Sequence, residues 1–218
     1  MQWKNFSRLK GAHSVLSPSQ SYWIYDDDED FEKRYCNSFS QTIGTLLHDE
    51  AAKRISNGPL IGYRMSKKNK SDILINLLDK GIPRKVIDYI PFDDMYDNVC
   101  RYVNDAIGFR MDSEVCLYYS ENCFGHADAI DFNDKKNMLR IFDLKTGQSP
   151  VKIEQLMIYA ALFFLDYREY KVNDCEIELR IYQTNQDVLI NTPDRNDILD
   201  MMDSIKKRDA YINTMKGT

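Results

Sequence analysis

The sequence lacks several features that would assign a protein to a class at once. Its longest apolar run, from Ile158 to Leu165, is too short to span a bilayer. No Gly-rich phosphate-binding loop and no G-x-S-x-G nucleophile turn is present. The first residues contain no apolar segment typical of a signal peptide. We therefore expect a soluble cytoplasmic protein that is neither a self-sufficient nucleotide-driven motor nor a serine hydrolase.

Cysteine is sparse and dispersed along the chain. There are five cysteines, an odd number, and no two of them have C-x-x-C spacing. This pattern favours free thiols in a reducing compartment over a disulfide framework. Because nothing clusters the cysteines, we do not expect a cysteine-ligated zinc ion or an iron–sulfur cluster.

The charge balance is mildly acidic, with a formal net charge of −5. This value argues against a protein that wraps nucleic acid over its whole surface. The one dense basic cluster contains Arg64, Lys67, Lys68 and Lys70. A solvated loop and a phosphate-contacting loop explain this cluster equally well. The acidic run from Asp26 to Asp30 predicts an exposed loop or the start of a helix.

Apolar spacing divides the chain into a helical first half and a second half that contains strands. Three- and four-residue spacing predicts helices over 31–57, 71–79, 92–107, 151–166 and about 195–213. Alternation and β-branched content predict strands over 115–119, 126–132, 138–145 and 176–183. This order predicts an α/β (α+β) fold with a central mixed sheet flanked by helices. We expect a single domain over 1–218, mainly helical over 1–110 and with the sheet core over 111–218.

Three short segments place polar groups in stretches that otherwise resemble buried core. They are Gly125-His126-Ala127-Asp128, Asp143-Leu144-Lys145 and the segment from Gln155 to Tyr159. A buried carboxylate without a partner is costly. Asp128 and Asp143 lie on consecutive strands joined by a short loop, so their carboxylates can converge. Alternation places Ile141, Asp143 and Lys145 on one face of their strand. On the preceding strand it predicts two opposite faces, one with His126, Asp128, Ile130 and Phe132 and the other with Ala127, Ala129 and Asp131.

Two interpretations of these groups remain open from the residues alone. One is a buried ion pair between Asp143 and Lys145, with Asp128 as a separate edge aspartate. The other is a divalent-cation site with an ammonium group beside it. The second is favoured by Gln155 and Tyr159, which share one face of the next helix. It is also favoured by His48, because Gly44 one turn earlier would let that helix approach another backbone closely.

In this order the motifs resemble the RecB-type branch of the PD-(D/E)xK nuclease superfamily. The likeness is greatest to small phage-type exonucleases similar to lambda exonuclease and to CRISPR-associated RecB-like nucleases. The matching segments are Gly44 to His48, Gly125 to Asp128, Asp143 to Gly147 and Gln155 to Tyr159. Ala127 stands where the general superfamily motif has proline. The resemblance implies a restriction-endonuclease-like core to which the N-terminal region contributes His48, and the missing C-terminal cysteines mean that it implies no iron–sulfur cluster.

The resemblance implies a set of metal ligands. Asp128 and Asp143 would bind Mg²⁺ or Mn²⁺ through their carboxylates, together with the backbone carbonyl of Leu144. His48 would be a further ligand, its ring held by another acceptor. Substitutes of lower rank for one of these ligands are Glu50 and Glu121.

The resemblance also implies roles for the residues beside the metal. Lys145 would orient or deprotonate the attacking water and stabilise charge on the phosphate. Gln155 would position Lys145 or the water. Tyr159 would support the site or contact DNA. His126, on the same predicted face as Asp128, would contact the metal ligands and not the metal itself.

The activity implied by the resemblance is metal-dependent hydrolysis of DNA, with exonuclease action in phage or bacterial recombination, repair or replication. The substrate would be single-stranded DNA or duplex ends, with Arg64, Lys67, Lys68 and Lys70 as further contacts. The resemblance also allows two other partners, which are a single-strand annealing or recombination protein and a second copy of the chain. The location it implies is the bacterial cytosol, without contact with a membrane. The alternatives are a nuclease fold that binds DNA ends or a protein without cutting, and a metal-stabilised structural domain.

Overall fold

The computed structural model describes residues 4–11, 14–147 and 150–217, and leaves the side chains of 63–65 outside that description. The α-helices are α1 (Asp28–Asn37), α2 (Ser40–Asn57), α3 (Tyr63–Asp79), α4 (Arg84–Tyr89), α5 (Phe92–Phe109), α6 (Glu154–Asp166) and α7 (Arg195–Lys216). The strands are β1 (Asp112–Ser120), β2 (Cys123–Asn133), β3 (Met138–Lys145), β4 (Glu176–Gln183) and β5 (Leu189–Asn191). Short 3₁₀ turns cover Ser7–Leu9, Pro18–Ile24 and Val172–Asp174.

The five strands form one mixed sheet in the order β1-β2-β3-β4-β5. β3 and β4 run parallel, and the other neighbouring pairs are antiparallel. The parallel pair needs a crossover, which α6 supplies between the two strands. The predicted mixed sheet flanked by helices is therefore confirmed.

Helices cover both faces of the sheet. On β3, Phe142 and Leu144 pack against α2 and α5, whereas Leu139 and Ile141 pack against α6 on the opposite face. This alternation is the ordinary consequence of strand geometry. α6 is apolar nearly all round because it lies between the sheet and α7. Within the described ranges, no helix combines the length and the hydropathy that crossing a bilayer requires.

The N-terminal region differs from the sequence prediction in three ways, of which the first is the unpredicted helix α4. The helix predicted over 31–57 is two helices, and the chain turns at Ser38, whose hydroxyl donates to the Tyr35 carbonyl. The helix predicted over 71–79 begins at Tyr63, so the basic cluster lies on a helix and the loop prediction was wrong. The acidic run begins α1, with the Asp27 carboxylate accepting from the Asp30 N–H at 2.8 Å. Carboxylates at this end are stabilised by the helix dipole.

Replacing Ile141 with alanine should show how far stability depends on the sheet core. Ile141 is fully buried in the middle of β3, so we expect the free energy of unfolding to fall by about 2–5 kcal/mol. Ile75→Ala is the matched control, because the Ile75 side chain on α3 is largely exposed and its loss should cost less than about 0.5 kcal/mol. Urea unfolding of both variants measures the difference, and equal losses would contradict this description of the core.

Candidate active site

β2 and β3 stop pairing at the point where their carboxylates lie. The last paired residues are Ala129 and Phe142, so the next step of the register would place Asp128 opposite Asp143. Instead, the Leu144 N–H donates to the Asp128 carboxylate, with 2.9 Å between nitrogen and Oδ2. A side chain thus replaces the backbone acceptor, and the two strands separate to open a cleft.

Side-chain alternation reverses at Asp128. Ala127 packs in the core on the α6 side, whereas Ala129 packs in the core against α2 and α5. The prediction that these two alanines share a face was therefore wrong. On β1, the residue opposite Asp128 is Glu114, which has φ of 55°. This left-handed conformation is uncommon for a side chain of that size and accompanies the reversal.

Lys145 is held between two partners at the end of β3. Its Nζ donates to Asp143 Oδ1 at 3.0 Å and to Gln155 Oε1 at 3.1 Å. The Lys145 side chain is 34% exposed and the Asp143 side chain 4%, so a buried carboxylate anchors a partly exposed ammonium. Lys145 and Gln155 line a cleft of their own, next to the one that Asp128 lines. The predicted shared face of Asp143 and Lys145 is confirmed, and the helix that follows brings Gln155 to them.

The Asp128 carboxylate acts electrostatically on Asp143. Burial and the nearby Asp128 carboxylate raise the pKa of Asp143 to about 6, against the opposing effect of Lys145. The Asp143–Lys145 ion pair is thus present, but Asp128 is not a separate edge aspartate. Asp143 Oδ2 is buried and has no hydrogen-bond partner. An unpartnered oxygen beside a second carboxylate is a costly arrangement that a cation would relieve.

α2 brings His48 to Asp128. His48 Nδ1 lies 3.6 Å from Asp128 Oδ2, which is close but longer than a hydrogen bond. A Cβ at Gly44 would lie 2.9 Å from the Thr146 hydroxyl oxygen, so glycine allows the segment after β3 to approach α2 closely. His48, Asp128 and Thr146 line one cleft of about 550 Å³. The structure therefore brings the helix with His48 to the strand ends, as the motif predicted.

Glu114 lines the same cleft and was missed by the sequence reasoning. Burial and the Asp128 carboxylate raise the pKa of Glu114, whereas His48 and His126 lower it. The predicted strand began at 115, three residues after the start of β1, and so left out Glu114. Extending that strand by one residue and pairing it with the following strand would have placed Glu114 opposite Asp128.

Tyr159 supports the site from α6. A Cβ at Gly125 would lie 2.8 Å from Tyr159 Cε1, so the ring occupies the space that a side chain at Gly125 would need. This contact holds α6 against β2, three residues before Asp128. It explains why glycine begins the first motif, and it gives Tyr159 a structural role.

The lower-ranked ligand candidates lie elsewhere. Glu50 forms an ion pair with Arg54 at 2.8 Å on α2. Glu121 accepts a hydrogen bond from the Tyr118 hydroxyl at 3.1 Å, beside the turn between β1 and β2. Neither residue is among those that line the cleft of His48 and Asp128.

The basic cluster occupies the first turns of α3. Lys67 and Lys68 are exposed there, and Lys70 forms an ion pair with Asp93. The side chain of Arg64 lies outside the described residues. No described α3 residue lines the clefts beside Asp128 or Lys145, so contact of this cluster with DNA stays a prediction.

The donor set suits a divalent cation in kind. Asp128 and Asp143 offer carboxylate oxygens, which Mg²⁺ and Mn²⁺ prefer, and the unpartnered Asp143 Oδ2 leaves one oxygen available. Across the described residues, no three His, Cys, Asp or Glu side chains gather closely enough to complete a metal site. Backbone oxygen and water, which Mg²⁺ commonly retains as ligands, would have to complete the set. The carbonyl of Leu144 stays a predicted ligand.

Replacing Gly125 with alanine should displace the Tyr159 ring. The added methyl group would overlap Cε1, so we expect a loss of about 1–3 kcal/mol in the free energy of unfolding. Gly108→Ala is the control, because a Cβ there meets nothing within 4 Å on helix α5. That control should be neutral or stabilising by up to about 1 kcal/mol. If both variants unfold at the same denaturant concentration, contact with Tyr159 is not the reason that position 125 requires glycine.

The raised pKa of Asp143 should make stability depend on pH. Asp143 has a pKa of about 6 in the folded chain against its ordinary value of 3.8, so the folded state holds this proton more tightly than the unfolded state. Its contribution to stability is therefore lost as the pH rises through about 6. Asp143→Asn cannot titrate, and between about pH 4.5 and about pH 7.5 it should gain about 2 kcal/mol relative to the parent chain.

Urea unfolding of both chains at the two pH values, in the presence of a chelator, measures this gain. A difference that does not change with pH would show that Asp143 titrates near its ordinary value.

Comparison with known proteins covered protein-family models, curated proteins and solved structures. None of the three comparisons gave a match.

Proposed function

We propose that the chain is a metal-dependent nuclease that hydrolyses DNA phosphodiester bonds on a restriction-endonuclease-like core. The observation that carries the proposal is the Lys145 ammonium, held by Asp143 and Gln155 where β2 and β3 separate. A second carboxylate, Asp128, lies beside it. The motif resemblance adds exonuclease action in phage or bacterial recombination, repair or replication.

Lys145 supplies the positive charge that phosphoryl transfer requires. Its ammonium is anchored by Asp143 and Gln155, so it does not have to reorganise when negative charge grows on the phosphate oxygens. The one-third exposure of its side chain lets a phosphate approach. Gln155 therefore acts by orienting Lys145, because its amide oxygen accepts from the ammonium.

Asp128 and Asp143 would hold Mg²⁺ or Mn²⁺, with His48 as a further ligand from α2. When bound, such an ion lowers the pKa of water and offsets charge on the phosphate. Asp143 must lose its proton before it can bind a cation, and its raised pKa places that loss near pH 6. Glu114 lines the same cleft as His48 and Asp128 and is electrostatically coupled to both.

A non-cleaving DNA-binding module is the second candidate. It is favoured by the absence, among the described residues, of three potential ligand side chains close enough to complete a metal site. It is disfavoured by the presence of Asp128, Asp143 and Lys145 together, because a protein that only binds DNA has no need of this set. A DNA cleavage assay distinguishes the two functions, because only the nuclease forms products.

Lys145→Ala should abolish cleavage and leave DNA binding largely intact. Loss of a charge-stabilising group costs about 10²–10³-fold in rate, whereas oligonucleotide affinity should change little. Defined single-stranded, linear duplex and circular DNA, incubated with Mg²⁺ or Mn²⁺ and resolved by product length, measures the effect. Lys136→Ala is the control, because Lys136 is exposed in the turn between β2 and β3, at the far end of both strands from Lys145.

Three results would count against the nuclease proposal or its mechanism. Full activity of Lys145→Ala would remove the role given to Lys145. Activity that resists a chelator would rule out a metal mechanism. Persistent binding by the parent chain, with no product from any substrate, would favour the non-cleaving module.

A further inference from the structure

A second cleft adjoins the candidate active site. It has a volume of about 900 Å³ and lies between the α1–α2 junction and the α4–α5 junction. Thr146 lines both this cleft and the cleft of His48 and Asp128, and Gly147 lines both this cleft and the one that contains Lys145. The cleft therefore adjoins both of the other clefts, and its size is typical of ligand sites.

The lining of this second cleft differs in charge from the active-site cleft. The described residues that line it include no carboxylate, although the chain has a net charge of −5. By contrast, the active-site cleft contains Asp49, Glu114 and Asp128. Lys33 lines the second cleft, is exposed, and forms no ion pair within the described part of the chain. A phosphate backbone would meet the Lys33 ammonium there and no carboxylate among the described lining residues.

Tyr89 places an aromatic ring in the wall of the same cleft. It is the last residue of α4, and 44% of its surface is exposed. An exposed aromatic face is the group on which unpaired nucleobases stack, whatever their sequence. The bases inside a duplex are already stacked on both faces, so an unpaired base is better able to use this ring. Amide and hydroxyl groups of Asn37, Ser40 and Gln41 complete the polar lining.

We propose that this cleft binds the single-stranded DNA segment adjacent to the scissile phosphate. One base stacks on Tyr89, a backbone phosphate lies near Lys33, and the strand passes Thr146 and Gly147 to reach Lys145. This assignment rests on the proposed nuclease function and names a substrate subsite for it. Tyr89 and Lys33 are thus specificity-determining residues that favour unpaired DNA over duplex DNA.

Three substitutions of Tyr89 separate stacking from packing. Tyr89→Ala removes the ring, Tyr89→Leu keeps apolar volume without a flat aromatic face, and Tyr89→Phe keeps the ring. Tyr211→Ala is the matched control, because Tyr211 is an exposed tyrosine on α7, which packs on the other side of the sheet. Thermal unfolding confirms that each variant folds.

Fluorescence anisotropy of a labelled oligothymidine and of a blunt duplex, in the presence of a chelator, measures the affinities. Tyr89→Ala and Tyr89→Leu should bind the single strand roughly tenfold more weakly, as expected for one lost stack, and the duplex almost unchanged. Tyr89→Phe and Tyr211→Ala should match the parent chain. Lys33→Ala should reduce the salt dependence of single-strand binding by about 0.7 in slope, the contribution of one phosphate contact.

The subsite proposal fails if Tyr89→Ala and Tyr89→Leu bind the single strand as the parent chain does. It fails equally if they lose single-strand and duplex affinity to the same extent, or if Tyr89→Phe loses as much as Tyr89→Ala. Cleavage by the parent chain, assayed in parallel, keeps the two proposals apart. If the parent chain cuts DNA and the Tyr89 variants bind the single strand as tightly as the parent does, only the subsite proposal is overturned. If the parent chain never cuts DNA, the nuclease proposal is overturned whatever the affinities are.

Discussion

The arrangement around Asp143 depends on one unfavourable electrostatic interaction, between its buried carboxylate and that of Asp128. Its carboxylate is almost wholly buried, one oxygen accepts from Lys145, and the other oxygen has no partner while the charge of Asp128 lies nearby. A fold pays for such a group in stability unless a cation or a proton relieves it. Stability alone therefore does not explain the arrangement, whereas the binding of a cation would. The Lys145 ammonium is part of it, because Lys145 donates to Asp143 beside Asp128.

Three elements meet at this point because local geometry lets them approach. The pairing of β2 with β3 stops after Ala129 and Phe142, so the Asp128 carboxylate lines a cleft and accepts from the Leu144 N–H in place of a backbone acceptor. Glycine at 44 admits Thr146 against α2, and glycine at 125 admits the Tyr159 ring of α6 against β2. The motif glycines thus act through close packing, and each brings a helix to the open end of the strands.

The sequence predicted the elements best where a strong periodic pattern coincided with deep burial. The bounds of β3 and β4 match the predicted strands, since both lie in the centre of the sheet and alternate regularly. The break at Ser38, the early start of α3 and the three-residue strand β5 were missed, because side-chain contacts and pairing with neighbours decide them. The reversal between Ala127 and Ala129 was missed for a related reason. Strict alternation assumes regular pairing along the whole strand, and the stretch of β1 that pairs with this part of β2 contains Glu114, which has a positive φ.

By itself, the sequence identified the candidate site residues and placed Asp143 and Lys145 on one face of their strand. Asp143 and Lys145, two apart on a strand, must point to the same side, and Gln155 follows on the next helix because the chain between them is short. Only the tertiary structure decided that His48 reaches Asp128 from α2, that Glu114 faces them, and that Tyr89 lines an adjoining cleft. These residues are far apart in the chain, so their meeting depends on how helices pack on the sheet, which no local spacing encodes.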